Sequence, residues 1–330
     1  MDFIIQGAGA VGCVVGTLLE ADGHRVRYLT RGSQPLSEPF VVERVRGQTV
    51  RSSLPSCLGA SERIQAADWV LVCVRGEQLD AAFAEIVARA GTNCSIAVAA
   101  ISLDNVVERA RRAGLSGTVL AYHVSFGSFR HPEHAQRFTW FPFDMPSTVT
   151  PEGDRAALPQ ARMLAKLLDH TGLATRSANS IRPLMAALVG LNSVLALGWS
   201  LCGWDLSRLA RDGQLRIQTC QALRETLHVC GAHEPSLRLV AKLLPLAVYS
   251  LAVRALARFM GPSGRDVWRY HGPKISPQTD YVVRDLLERA QRAAVSLTVL
   301  PVLFARWQVS RGDSARVAPA LDQGRALPTS

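Results

Sequence analysis

The chain has 330 residues, 48% apolar, 6% aromatic and 19% charged, which is too apolar and too sparsely charged for a disordered chain. Its length suits two domains, enough to bury two separate cores or to hold a ligand between them. The net charge of +10 is almost wholly arginine, with lysine only at 166, 242 and 274, and the arginines are scattered rather than gathered in a run with stacking aromatics, which argues against nucleic-acid binding.

Residues 2 to 6 form a short apolar strand, followed by a glycine turn, a helical pattern from Val11 to Ala21, and a second strand from Arg25 to Thr30. The rhythm continues with an apolar run at Trp69 to Val74, a helix around Gln78 to Ala90, a strand at Cys94 to Ala100 and a helix around Leu103 to Ala113. Strands alternating with helices at this spacing imply a parallel, doubly wound sheet, with Gly47 to Ser53 as a small hairpin insertion. Extended segments follow at Val119 to Val124 and Arg137 to Phe143, then a helix near Ala156 to His170 and a strand near Ala174 to Ser177. From Ile181 the patterns are helical: Leu184 to Leu201, Leu215 to Cys230, Ser236 to Phe259 and Tyr281 to Ala305. The expected fold is therefore α/β, with an N-terminal Rossmann-type parallel-sheet domain over residues 1–180, an all-helical C-terminal domain over 181–309 and a tail over 310–330.

Seven cysteines show no CxxC or Cys/His ligand spacing and read as free thiols of a reducing compartment. No leader pattern opens the chain, so a cytoplasmic location is expected. Pro183 to Trp204 carries no charge and is long enough to span a bilayer, but it includes Gly190, Asn192, Ser193 and Ser200 and has no companion span. A buried helix of the second domain is the better reading, with no membrane partner.

The turn Gly7-Ala8-Gly9-Ala10-Val11-Gly12 fits GxGxxG between a predicted strand and a predicted helix. In that context Gly7 permits the tight turn, Gly9 lets backbone approach a pyrophosphate, and Gly12 lets helix pack close to strand, with the phosphates on the helix N-terminus. The second strand ends Tyr28-Leu29-Thr30-Arg31-Gly32, without the carboxylate that would accept hydrogen bonds from the ribose of NAD. Arg31 instead offers a guanidinium fork to a 2′-phosphate, so NADP is the expected cofactor.

These residues resemble the ketopantoate reductase (2-dehydropantoate 2-reductase) family, through the glycine turn, Arg31-Gly32, Val72-Cys73-Val74-Arg75 where that family has a strand ending in a basic residue, and the helical second half. The resemblance implies NADPH between the two domains and hydride transfer to the ketone of a small 2-keto acid. It also implies an active-site helix with Lys, then Asn four residues on, then Asn four more. Aligned on Asn192 and Ala196-Leu197, this chain has Leu184 at the lysine and Leu188 at the first asparagine. Leucine can neither protonate an alkoxide nor stabilise an oxyanion. The family's Asn-Gly pair near the nicotinamide is also replaced, by Ala100-Ile101-Ser102.

The same resemblance places Ser263 near the family's substrate-binding Ser, and Asp280 at its catalytic-site Glu, if Trp268 to Gln278 is an inserted loop. Lys274 in that loop is a candidate to return an ammonium to the site, and a solvated lysine is its alternative. His123, at a strand end, and His271 are candidate replacements for the missing acid. His131 and His134 show no matching Cys, Asp or Glu, so no metal site is expected. Asn192 and Asp280 are expected to face the domain cleft, with Asn192 needing a partner for its amide.

The expected protein is a NADPH-dependent oxidoreductase with a rebuilt active site, acting on a carbonyl, enone or imine other than ketopantoate, with Leu184 and Leu188 lining a more apolar site. A homodimer through the helical domain is a further expectation. A non-redox cyclase or isomerase on the same fold, and a nucleotide-sensing protein, remain alternatives.

Overall fold

A computed structural model describes residues 1–30, 38–45, 47–59, 62–64, 67–131, 133–143, 145–231, 245–259 and 261–311, with the side chains of 183, 184, 259, 261–271, 273 and 274 outside the description. Two compact units, Met1–Arg182 and Pro183–Ser330, divide the chain.

In the first unit, strands β1 (Asp2–Gln6), β2 (Arg25–Leu29), β5 (Ser56–Cys57), β6 (Trp69–Val72), β7 (Ile96–Val98), β8 (Val119–His123), β11 (Ser147–Thr150) and β12 (Thr175–Ser177) make one sheet in the order β12-β11-β8-β7-β6-β1-β2-β5. Every neighbouring pair is parallel except β8 with β11, so the sheet expected to be parallel is mixed at that point. Side chains alternate across it with a period of two. Phe3, Ile5, Trp69 and Leu71 enter the core shared with helices α1 (Ala10–Ala21) and α4 (Leu158–His170). Ile4, Val70 and Val72 enter the core shared with α2 (Leu79–Ala90) and α3 (Val106–Arg112). Burial on both faces explains why these strands read as continuous apolar runs.

A smaller sheet, ordered β4-β3-β10-β9, is built from β3 (Val41–Arg44), β4 (Thr49–Arg51), β9 (Phe126–Arg130) and β10 (Arg137–Pro142) and lies against α1. The antiparallel pair β3 and β4 is the hairpin anticipated near Gly47 to Ser53, whereas β9 and β11 carried no clear strand signal.

The second unit is helical: α5 (Arg182–Leu201), α6 (Leu206–Arg211), α7 (Gly213–Cys230), α8 (Leu246–Phe259), α9 (Gly261–Arg292) and α10 (Leu300–Ser310). Helix α5, uncharged after Arg182, packs against α7 through its glycines, since a Cβ on Gly190 would lie 2.4 Å from the Thr226 methyl and one on Gly198 2.8 Å from the Thr219 hydroxyl. The start of α10 is held by Glu225 of α7, whose carboxylate accepts hydrogen bonds from the backbone N–H of Thr298, Val299 and Leu300 at 2.8 to 2.9 Å. That pairs a negative charge with the helix's free N–H groups. Among the described residues, no helix is long and apolar enough to cross a membrane.

Two helical expectations require correction. The Tyr281 to Ala305 pattern is two helices, because α9 ends in a turn closed by the Val295 N–H on the Ala290 carbonyl, with Ala294 at φ 51°. Trp268 to Gln278 is not an inserted loop but part of α9, whose backbone remains helical past Pro273 and Pro277. Gly272 gives the reason: a Cβ there would lie 2.2 Å from the Trp204 indole, so the helix presents bare backbone to a flat ring.

Candidate active site

Strands β1, β6, β7 and β8 run parallel, so their carboxyl ends share one edge of the sheet. That edge carries the glycine turn after β1, Cys73 to Arg75 after β6, and His123 at the end of β8. Ligands of doubly wound sheets bind outside this edge.

The three glycines of the turn have different structural needs. Gly7 has φ 102°, a conformation that other residues rarely adopt, and its N–H bonds the Leu29 carbonyl at 3.1 Å. A Cβ on Gly12 would lie 2.1 Å from the Gly7 carbonyl oxygen, so α1 can sit on β1 only with glycine there. Gly9 caps α1 at φ −80° and ψ −178°, a conformation open to any residue, and a Cβ on it would meet nothing within 4 Å. Neither backbone nor packing therefore requires glycine at 9, and no side chain caps the free N–H groups of the helix start beside it. Open space beside a helix N-terminus fits a phosphate group approaching the backbone. Ala8, Ala10 and Val11 complete this turn.

Two arginines are the cofactor candidates of the sequence. Arg31 lies outside the described residues. Arg75 is exposed at the same edge and pairs with Glu77 at 2.7 Å. At the position of the family's missing Asn, the Ser102 hydroxyl accepts the Asp104 N–H at 3.1 Å and only shapes the turn.

His123 does not stand alone. Its Nε2 lies 3.4 Å from Oε1 of Glu152, whose carboxylate is 4% exposed and also accepts the Thr150 hydroxyl at 2.5 Å and the Ser180 hydroxyl at 2.7 Å. Burial alone would raise the Glu152 carboxyl, but the hydrogen bonds from His123, Thr150 and Ser180, with the charge of His123, outweigh it and hold the pKa at about 2. Glu152 is then an anion that can only accept, so Nε2 of His123 carries a proton and Nδ1 is the nitrogen left for other chemistry. Glu152 also holds a left-handed backbone, φ 45°, uncommon for a non-glycine residue. The arrangement is an imidazole oriented by a buried carboxylate.

Of the residues assigned to the second unit, three have described side chains. Asn192 is exposed on α5, so the argument that a buried amide there needs a partner fails. Leu188 is half-buried, and the side chain of Leu184 is not described. Asp280 is held on its own helix by Arg284, at 2.8 and 3.2 Å. Lys274 and His271 lie in helix α9 rather than a loop, as does Ser263, and their side chains are not described.

Sequence reasoning missed three residues. Glu152 sits in a Pro-Glu-Gly turn that reads as an ordinary reversal. Glu133, between His131 and His134 in sequence, completes a set with them whose ligand atoms lie within 4.8 Å of one another. Arg130 ends β9 and donates to the Ala8 carbonyl inside the glycine turn at 3.4 Å, across 122 residues of sequence.

No curated protein matches the sequence. Among solved structures, a ternary D-mandelate dehydrogenase with NADH and anilino(oxo)acetate superposes with a TM-score of 0.71 at 16% identity, over 95% of this chain and 99% of the other. A PanE/ApbA family ketopantoate reductase from Ralstonia eutropha JMP134 gives 0.71 at 18% identity, over 96% and 100%. A dimeric ketopantoate reductase from Staphylococcus aureus gives 0.67 at 13% identity, over 94% and 100%. These likenesses establish the shared fold. The family model of ketopantoate reductase PanE/ApbA matches residues 3–142, the stretch that holds the glycine turn, the carboxyl edge and His123.

Proposed function

We propose that this protein is a NADPH-dependent oxidoreductase that reduces a carbonyl, enone or imine of a hydrophobic substrate other than ketopantoate. The observation that carries the reading is Gly9, a glycine required by neither fold nor packing at the mouth of a helix N-terminus. The nicotinamide, when bound, supplies the hydride. Gly9 leaves room for the pyrophosphate in a turn shaped by Gly7 and Gly12, with Ala8, Ala10 and Val11 between them, and Arg31 takes the 2′-phosphate, with Arg75 near the same edge. His123 supplies the proton: protonated imidazole gives it to the substrate oxygen or nitrogen as the hydride adds to carbon, and Glu152 stabilises the positive charge before transfer. Leu188 and Leu184 replace the polar groups that would hold a small keto acid, which supports a larger apolar substrate. Asn192, Asp280, Lys274 and Ser263 remain secondary candidates on the helical unit.

Seven cysteines without a disulfide suit a reducing, cytoplasmic setting. Val248, Leu251 and Leu256 are exposed on α8, which supports a homodimer through the helical unit, the dimeric Staphylococcus aureus enzyme being a precedent on the same fold.

The test is to titrate NADPH and NADH, then follow loss of nicotinamide absorbance across a panel of keto acids, enones and imines. NADPH is expected to bind more tightly by about one to two orders of magnitude, the value of one charge-assisted contact, and Arg31→Ala should remove the preference. Equal dissociation constants would overturn the NADP assignment. Ketopantoate turnover at ordinary enzyme rates, about 1 to 10³ per second, would overturn the substrate assignment.

A further inference from the structure

We propose that Arg130 is a pyrophosphate-binding residue of the dinucleotide site, an inference that rests on the cofactor reading above. Along β9 four residues are buried and the fifth, Arg130, emerges into solvent. Its Nη2 lies 3.4 Å from the carbonyl oxygen of Ala8, which sits between Gly7 and Gly9. Its guanidinium carbon lies 5.3 Å from the ring centroid of Phe138, a fully buried residue paired with it across the β9–β10 ladder. An arginine stacked on a fixed ring is held in place rather than swinging freely.

Its charge is also left over. Arg75 pairs with Glu77, Arg109 with Asp80 and Arg137 with Glu43, but among the described residues no carboxylate pairs with Arg130. The Ala8 carbonyl uses one of the five N–H groups of the guanidinium, leaving a planar fork of donors beside the turn. A helix N-terminus contributes only about half a positive charge, whereas a dinucleotide pyrophosphate carries two negative ones. The Arg130 guanidinium adds a full positive charge beside the turn, reaching in from the small sheet rather than from the Rossmann strands.

A pyrophosphate contact makes a specific prediction, because NADPH and NADH share the pyrophosphate and differ only at the 2′-phosphate. Arg130→Gln should weaken both dinucleotides by a similar factor, about tenfold or more, in a fluorescence or calorimetric titration of the full chain. Arg130→Lys, which keeps charge but loses the fork, should fall between wild type and Arg130→Gln, and it serves as the test if Arg130→Gln does not fold. Unchanged dissociation constants for both dinucleotides in a folded variant would overturn the proposal, as would loss confined to NADPH, which would place Arg130 at the 2′-phosphate. Failure of the wild type to bind either dinucleotide would overturn the underlying cofactor reading and this inference with it.

Discussion

Gly9→Val is expected to abolish dinucleotide binding while leaving the melting temperature of the first unit close to wild type. Valine is allowed at φ −80° and ψ −178°, and a Cβ there meets nothing within 4 Å, so the change costs the fold about 1 kcal/mol of N-cap preference at most. The branched side chain then fills the space through which a pyrophosphate must approach. Gly12→Val is expected to behave oppositely: its Cβ would lie 2.1 Å from the Gly7 carbonyl oxygen and 2.9 Å from Ile5, so α1 must move off the sheet at a cost of about 3 kcal/mol or more. Thermal melts and NADPH titrations of the two variants distinguish a residue kept for a ligand from one kept for the fold. If Gly9→Val binds NADPH like wild type, the open space there has another purpose.

His123→Gln should lower turnover by about 10²- to 10⁴-fold, the usual loss on removing a general acid, with the dissociation constant for NADPH unchanged. Glutamine is near imidazole in size and can still donate to Glu152, so the loss reports the proton rather than the packing. Glu152→Gln removes the charge but keeps the shape, and should reduce kcat by less than His123→Gln does. The measurement is kcat and cofactor affinity side by side, on the best substrate from the panel. Equal kcat for His123→Gln and wild type would return the search for the acid to the helical unit.

The Rossmann half was legible because its signals are local. Phe3 and Ile5 alternate with Ile4 within one strand, and the glycine turn lies within six residues of sequence. The misses share a physical origin in contacts that no local pattern encodes. Strand β9 contains Gly127 because a Cβ there would collide with the Phe141 ring 14 positions on, so it carries no clear strand signal although it pairs with β10. The break after α9 uses Ala294 in the left-handed region, and alanine sends no turn signal. The loop expected at Trp268 to Gln278 came from the family alignment, whereas Gly272 against the Trp204 indole keeps that stretch helical. At the site, His123 could be singled out because it ends a strand, but Glu152 is 29 residues away and reaches it through tertiary contact alone.

The close packing of Gly7 and Gly12 against Cys73 makes that thiol a built-in reporter of the glycine turn. Burial pushes the Cys73 thiol up to about 12, which disfavours the thiolate, the species that alkylates. Alkylation by iodoacetamide must then proceed through rare openings that lift α1 from β1, and its rate counts those openings. A dinucleotide bound across the turn should slow them in proportion to its occupancy, by about 100-fold at 100 times its dissociation constant. Peptide-resolved labelling of Cys73, with half-buried Cys57 and Cys94 as internal controls, would therefore measure cofactor affinity without any substrate, and a labelling rate indifferent to NADPH would mean that ligand and opening are uncoupled.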